Sequence, residues 1–250
     1  MIERSDNNGI VTLRLAHGKA AALDVELMEG LARAMAEVAL DDTRAVILTG
    51  TGSIFSAGVD LFRLTEAGDD YVERFIPALS RLMLDLFSFP KPLVVAANGH
   101  AIAGGTIIAL TADYRLIVNG NARMGIPELL VGVPFPAAVL EIIRFAVPPQ
   151  HLQSLIYTAR TVMPEEALAV GLIDEIVPPE SLLARANEMA AHLAALPTQA
   201  FQMAKRQLRD KAIGRAKHYA NEFDATMKES WKGAETHAHV REYLARTVRK

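Results

Sequence analysis

Short apolar runs rich in β-branched residues recur along the chain, at Ile10 to Leu15, Ala45 to Leu48, Leu93 to Ala96, Tyr114 to Val118 and Leu172 to Val177. Each has the length of a buried strand. Between them Val25 to Leu40 carries Leu27, Leu31, Ala34, Met35 and Val38 at helical spacing, and Val72 to Phe87 does likewise. Strands alternating with helices predict an α/β fold with mostly parallel pairing. Pro164, followed by Glu165 and Glu166, fits the first turn of a helix that stops at Gly171. Ser181 to Leu196 reads as a further helix, ended by Pro197. From Thr198 to Lys250 there is no strand-like run, so the region reads as helices only. There Tyr219, Phe223 and Met227 fall four apart with Trp231 continuing the stripe, which gives one strongly apolar face.

Composition narrows the class. At 250 residues, 51% hydrophobic and 22% charged, the chain has enough apolar material for one large core or a core with a small appendage. A net charge of −3 gives no basic footprint for nucleic acid. With no cysteine there are no disulfides, no thiolate catalysis and no cysteine-held metal. The polar, acidic start Met1 to Asn8 lacks the apolar stretch of a signal peptide. Pro92 to Val118, the least polar region, is broken by Asn98, His100, Asp113 and Arg115, so it reads as buried core and not as a membrane span. The expected location is therefore the cytoplasm, without membrane attachment.

Two segments carry the chemistry. Ile54 to Leu61 includes Ser56, Ala57, Gly58, Val59 and Asp60, and Asn98 to Gly105 includes His100, Ala103 and Gly104. Both lead from a strand-like approach to small residues, where backbone N–H groups can approach a ligand unobstructed. Brought together, two such turns form a two-donor pocket for a developing oxyanion. The pair resembles the two oxyanion-hole signatures of the crotonase superfamily, the enoyl-CoA hydratase/isomerase family. The likeness continues in order through Thr111 to Arg115, Gly125 to Leu129 and Glu165 to Asp174, and covers essentially the whole chain. It implies a crotonase-like spiral of β-β-α units over residues 1–196. It also implies a C-terminal helical region, 197–250, that packs in the interface of a homotrimer or of paired trimers; packing against its own core is the rival reading of that apolar face. The implied partner is an acyl-CoA thioester, with coenzyme A entering as part of the substrate and no separate cofactor or metal required.

Carried over residue by residue, the resemblance makes the amides of Ala57 and Gly104 the oxyanion donors. Ala20, Ala22 and Leu23 fall in the stretch that runs along the CoA moiety, and Asp60 matches an aspartate beside the adenine pocket, although capping the next helix suits it equally. Ser56, Gly58, Leu61 and Gly105 complete the expected substrate-binding turns. Hydratases of the family use two glutamates. Here the first slot is Ile107 and the second is Glu128. Adding water is most easily served by two carboxylates, whereas a double-bond shift needs one base that removes the α-proton and returns it at the γ-carbon. Ile126, Pro127, Leu129 and Leu130 around Glu128 should desolvate it and raise its pKa. The expected activity is therefore enoyl-CoA delta-isomerisation with Glu128 as base. Hydration by Glu128 with Glu141 is the alternative, and acyl-CoA binding without catalysis is a third reading. Asp113 and Arg115 suggest a structural ion pair, Lys205, Arg206, Arg209 and Lys211 a charged helix face, and His100 a satisfied structural histidine.

Overall fold

The computed structural model describes residues 1–247. A β-β-α unit repeats along the chain. The first comprises β1 (Ile2–Asn7), β2 (Ile10–Leu15) and α1 (Val25–Leu40), and the second β3 (Ala45–Thr49), β4 (Ile54–Ser56), α2 (Leu61–Glu66) and α3 (Asp69–Phe87). The third is β5 (Leu93–Ala97), β6 (His100–Ile102) and α4 (Gly104–Leu110). In the fourth, β7 (Tyr114–Val118) and β8 (Met124–Gly125) lead into α5 (Glu128–Val131), α6 (Ala137–Ala146) and α7 (Pro149–Thr158). Then come β9 (Thr161–Val162), α8 (Pro164–Ala169), β10 (Glu175–Val177) and α9 (Leu182–Ala194). The chain ends in α10 (Thr198–Tyr219), a π-helical turn at Ala220–Asp224, α11 (Ala225–Lys232) and α12 (Ala234–Thr247). Among the described residues no helix is long and apolar enough to cross a membrane.

The repeat places its strands in two sheets. One has the order β1-β2-β3-β5-β7-β10 and the other β4-β6-β8-β9. Pairing from β2 through β3, β5 and β7 to β10 is parallel, as the strand and helix alternation predicts, and among the strand pairs of the described residues only the β1–β2 hairpin and the β8–β9 pair are antiparallel. β3 and β5 are buried along their whole length, which explains their unbroken apolar runs. The spiral of β-β-α units is present. Two boundaries differ from the sequence reading: the last strand of the large sheet begins at Glu175, with Leu172 to Asp174 in the preceding turn, and α3 begins at Asp69.

The C-terminal helices pack on their own chain. Asp113 accepts from Lys205 at 2.7 Å and from Arg209 at 2.8 Å, and Arg209 also donates to the carbonyls of Phe87, Thr111 and Ala112. Lys205 and Arg209 are therefore buried anchors of α10 and not part of a solvated charged face, and burial lowers Lys205 to about 8. Asp113 does not pair with Arg115, whose guanidinium instead lies 2.8 Å from Asp174. The apolar stripe also divides. The π-helical turn adds a residue to the helical repeat, so Met227 and Trp231 turn into the core while Phe223 stays 53% exposed.

Candidate functional site

The turn after β4 and the turn after β6 meet. Gly58 has φ +81°, and a methyl group there would lie 2.7 Å from the Ala103 side chain and 3.0 Å from the Gly104 nitrogen. Only glycine permits both that backbone and that approach. Opposite it, Ala103 holds φ +52° and ψ −124°, a region L-residues rarely take, while its N–H donates to the Gly125 carbonyl at 2.9 Å. The strained residue hands the chain into α4, whose first N–H, that of Gly104, has no partner inside the helix. Gly104 itself is pressed against Leu23, so Leu23 supports this turn as a buried core residue.

Of the amides in the other turn, that of Ala57 is already engaged, donating to the Ala20 carbonyl at 2.9 Å. This corrects the expectation that Ala57 supplies a free donor. Gly58 donates to the Ser56 hydroxyl and Asp60 to the Leu23 carbonyl, which leaves Val59 as the residue of this turn whose N–H has no acceptor among the described residues. Nothing in the Ala57-Gly58-Val59 sequence distinguishes these amides. The distinction comes from a parallel bridge between Leu23 and Val59 that consumes the neighbouring groups.

Val59, Gly104 and Glu128 line one small cavity, together with Ile107, Phe135 and Trp231. Glu128 opens α5, is 9% exposed, and its Oε2 has no hydrogen-bond partner among the described residues. Burial pushes this carboxyl up to about 8, with no cation among the described residues to oppose it. Tyr243 of α12 is raised too, first by its own burial and then by the Glu128 charge. Ile107 places a fully buried aliphatic side chain in the same cavity. Glu141 does not line it. It lies on α6, 1% exposed, with Arg215 at 2.6 Å and Arg144 at 2.7 Å.

On the other side of Val59 a groove of about 480 Å³ opens, lined by Lys19, Ala20, Ala22, Asp60, Leu61 and Tyr243 among others. Asp60 also caps α2 by accepting from the Arg63 N–H, which is the capping reading of that residue. Ser56 and Gly105 are buried away from groove and cavity: the Ser56 hydroxyl donates to the Ala21 carbonyl, and Gly105 packs on the Ser56 backbone. His100 accepts from the Arg123 N–H, a structural contact. Groove and cavity meet at Val59. A long ligand could thus lie in the groove and present a carbonyl to two unpaired N–H groups with a carboxyl beside it.

Comparison with known proteins agrees in extent and in kind. The profile of the family described as enoyl-CoA hydratase/isomerase matches residues 5–246. The chain is 32% identical to a carnitinyl-CoA dehydratase of Salmonella arizonae, over 85% of this chain and 83% of that one. It is 27% identical to human mitochondrial enoyl-CoA delta isomerase 1, over 86% of this chain and 72% of that one. Among solved structures, an enoyl-CoA hydratase from Mycobacterium marinum superposes with a TM-score of 0.82 at 29% identity, covering 90% of this chain and 98% of that one. The chain belongs to the enoyl-CoA hydratase/isomerase family, within the crotonase superfamily.

Proposed function

We propose that this protein is an enoyl-CoA delta-isomerase, moving a double bond from the β,γ to the α,β position. The observation that carries the reading is that Glu128 is, among the described residues, the single carboxyl lining the cavity between the two turns. The thioester oxygen accepts from the N–H groups of Val59 and Gly104, while the CoA portion occupies the groove. Glu128 takes the α-proton, and the electron pair of the broken C–H bond spreads through the carbonyl and the former double bond as a dienolate. The same carboxylic acid then delivers the proton to the γ-carbon, which restores the enzyme. A carboxyl held near 8 is matched to both halves of that exchange, whereas one at its ordinary value of 4.5 would return the proton poorly. Water addition would call for a second carboxylate, and Ile107 and the arginine-bound Glu141 argue against one.

The relative named as a carnitinyl-CoA dehydratase and the structure described as a hydratase make water addition the second reading. Parallel assays of 3-enoyl-CoA isomerisation and 2-enoyl-CoA hydration separate the two. Dominant isomerisation supports the proposal, and dominant hydration replaces it. Acyl-CoA binding without either turnover would reduce the chain to a binding protein. We further infer that the chain forms homotrimers, singly or paired, because Met203 and Leu208 stand 63% and 70% exposed along α10. A monomeric mass near 27.1 kDa in light scattering would refute this.

A further inference from the structure

Beyond Glu128 the cavity ends in a wall that the C-terminal region completes. Trp231 of α11 is 2% exposed, its indole N–H donates to the Pro134 carbonyl at 2.9 Å, and its ring centroid lies 6.0 Å from that of Phe75. α11 is also clipped to α3 by ion pairs from Lys228 and Lys232 to Glu73. Leu79 and Met83 of α3, with Phe135 and Val139, close the remaining sides. What is left is about 20 Å³, room for about one water molecule. The groove on the opposite side of Val59 is more than an order of magnitude larger, at about 480 Å³. One end of the site is thus open to a bulky group and the other is stopped.

We propose that Trp231 is the floor of the acyl pocket and restricts the protein to short-chain acyl-CoA thioesters, an inference that rests on the reading of the site as an acyl-CoA pocket. The reacting carbons already have to part the side chains of so small a cavity, and each further methylene must displace more side chains packed at interior density. A flexible methionine such as Met83 can yield by changing rotamer. The rigid indole cannot do so without breaking its bond to Pro134, and moving it bodily means parting the Glu73 ion pairs.

The test is a calorimetric series with hexanoyl-CoA and dodecanoyl-CoA on the wild type, Trp231→Ala, Trp231→Phe and Leu79→Ala. The wild type should bind hexanoyl-CoA at least about tenfold more tightly. Trp231→Ala should shift the ratio toward dodecanoyl-CoA by about tenfold or more, with Trp231→Phe between. If Trp231→Ala fails to fold, Leu79→Ala widens the same wall with a smaller deletion and should shift the ratio in the same direction. Equal wild-type affinity for the two thioesters would overturn the proposal, as would folded variants that leave the ratio within about twofold. Saturated thioesters can be neither isomerised nor hydrated, so the series reads chain length even if the double-bond shift is refuted. Loss of all acyl-CoA binding would instead sink the underlying reading of the site.

Discussion

Glu128 and Glu141 are both buried carboxyls, 9% and 1% exposed, on the successive helices α5 and α6, and their surroundings are opposite. Glu141 lies between two guanidiniums, at 2.6 Å and 2.7 Å, contributed by α10 and by its own helix. Glu128 faces aliphatic and aromatic side chains, with one oxygen unpartnered. Burying an ionised carboxylate without a partner is costly, so such a group either finds a cation or holds its proton. Glu141 does the first and Glu128 the second. Burial alone therefore does not mark the reactive carboxyl. The proposed base is set apart instead by the absence of a cation, among the described residues, beside two unspent amides.

The sharpest way to break that contrast is Glu128→Gln, which keeps the shape and removes the proton carrier. Isomerisation should fall by about 10³-fold or more, toward the upper end of what a positioned acid–base group supplies. Thermal stability should hold or rise, because the substitution deletes an uncompensated buried acid. A variant with more than a tenth of wild-type kcat would remove Glu128 from the mechanism. Next in size is the loss of a single donor. Replacing the Val59 N–H by an ester oxygen through α-hydroxy acid incorporation should cost about 10²-fold in rate. The same change at Ala57 should weaken only the bond to the Ala20 carbonyl, lowering stability while leaving kcat within about threefold. The reverse pattern would return the donor role to Ala57.

The raised carboxyl also sets a pH dependence of known sign. If Glu128 is the proposed base it must be ionised to accept the α-proton, so kcat/KM should rise by about tenfold per pH unit and level off above about 8. Stability should move the other way. Between 4.5, the ordinary carboxyl value, and about 8 the unfolded chain has released a proton that the folded chain retains. The Glu128 contribution to unfolding free energy should therefore fall as pH rises through that window and flatten above it, where Lys205, lowered to about 8, begins to act with the opposite sign. Denaturant titrations of the wild type and Glu128→Gln would show this as a falling slope in the difference between the two, with the other shifted groups common to both. Equal slopes would mean that Glu128 is not held protonated in the fold.

Much of this was legible from residues, and what was missed has common causes. β2, β3, β5 and β7 are long and buried, so their composition carries the signal. The second sheet is built from strands of two or three residues, too short for any periodicity to show. β1 escaped for a different reason: it is an edge strand, exposed along nearly its whole length, and reads as polar chain. Glu128 was visible through its apolar neighbours. The choice of Val59 over Ala57 was not, because it depends on which carbonyls β-bridging brings to the turn. The partners of Asp113 were equally hidden, since Lys205 and Arg209 reach it only after α10 has folded back over the core.

The smallest effect on rate belongs to Glu141, and it bounds the comparison from the other side. Glu141→Gln should leave isomerisation within about twofold, because the carboxyl faces α10 and not the cavity. Its partners should matter to folding instead. Replacing Arg144 and Arg215 together by methionine leaves Glu141 buried with no cation, the condition in which Glu128 already exists. Stripping the partners from a fully buried ion pair costs about 3–5 kcal/mol. Here both guanidiniums are partly in water, at 43% and 41% exposure, so a loss of about 2 kcal/mol is the expectation. Adding Glu141→Gln to that double variant should restore most of the loss, since the charge that needed the arginines is gone. If the triple variant stays as unstable as the double, the arginines act through packing of their stems. If Glu141→Gln alone abolishes turnover, the arginine-bound carboxyl reaches the substrate after all, and the division between the two glutamates is wrong.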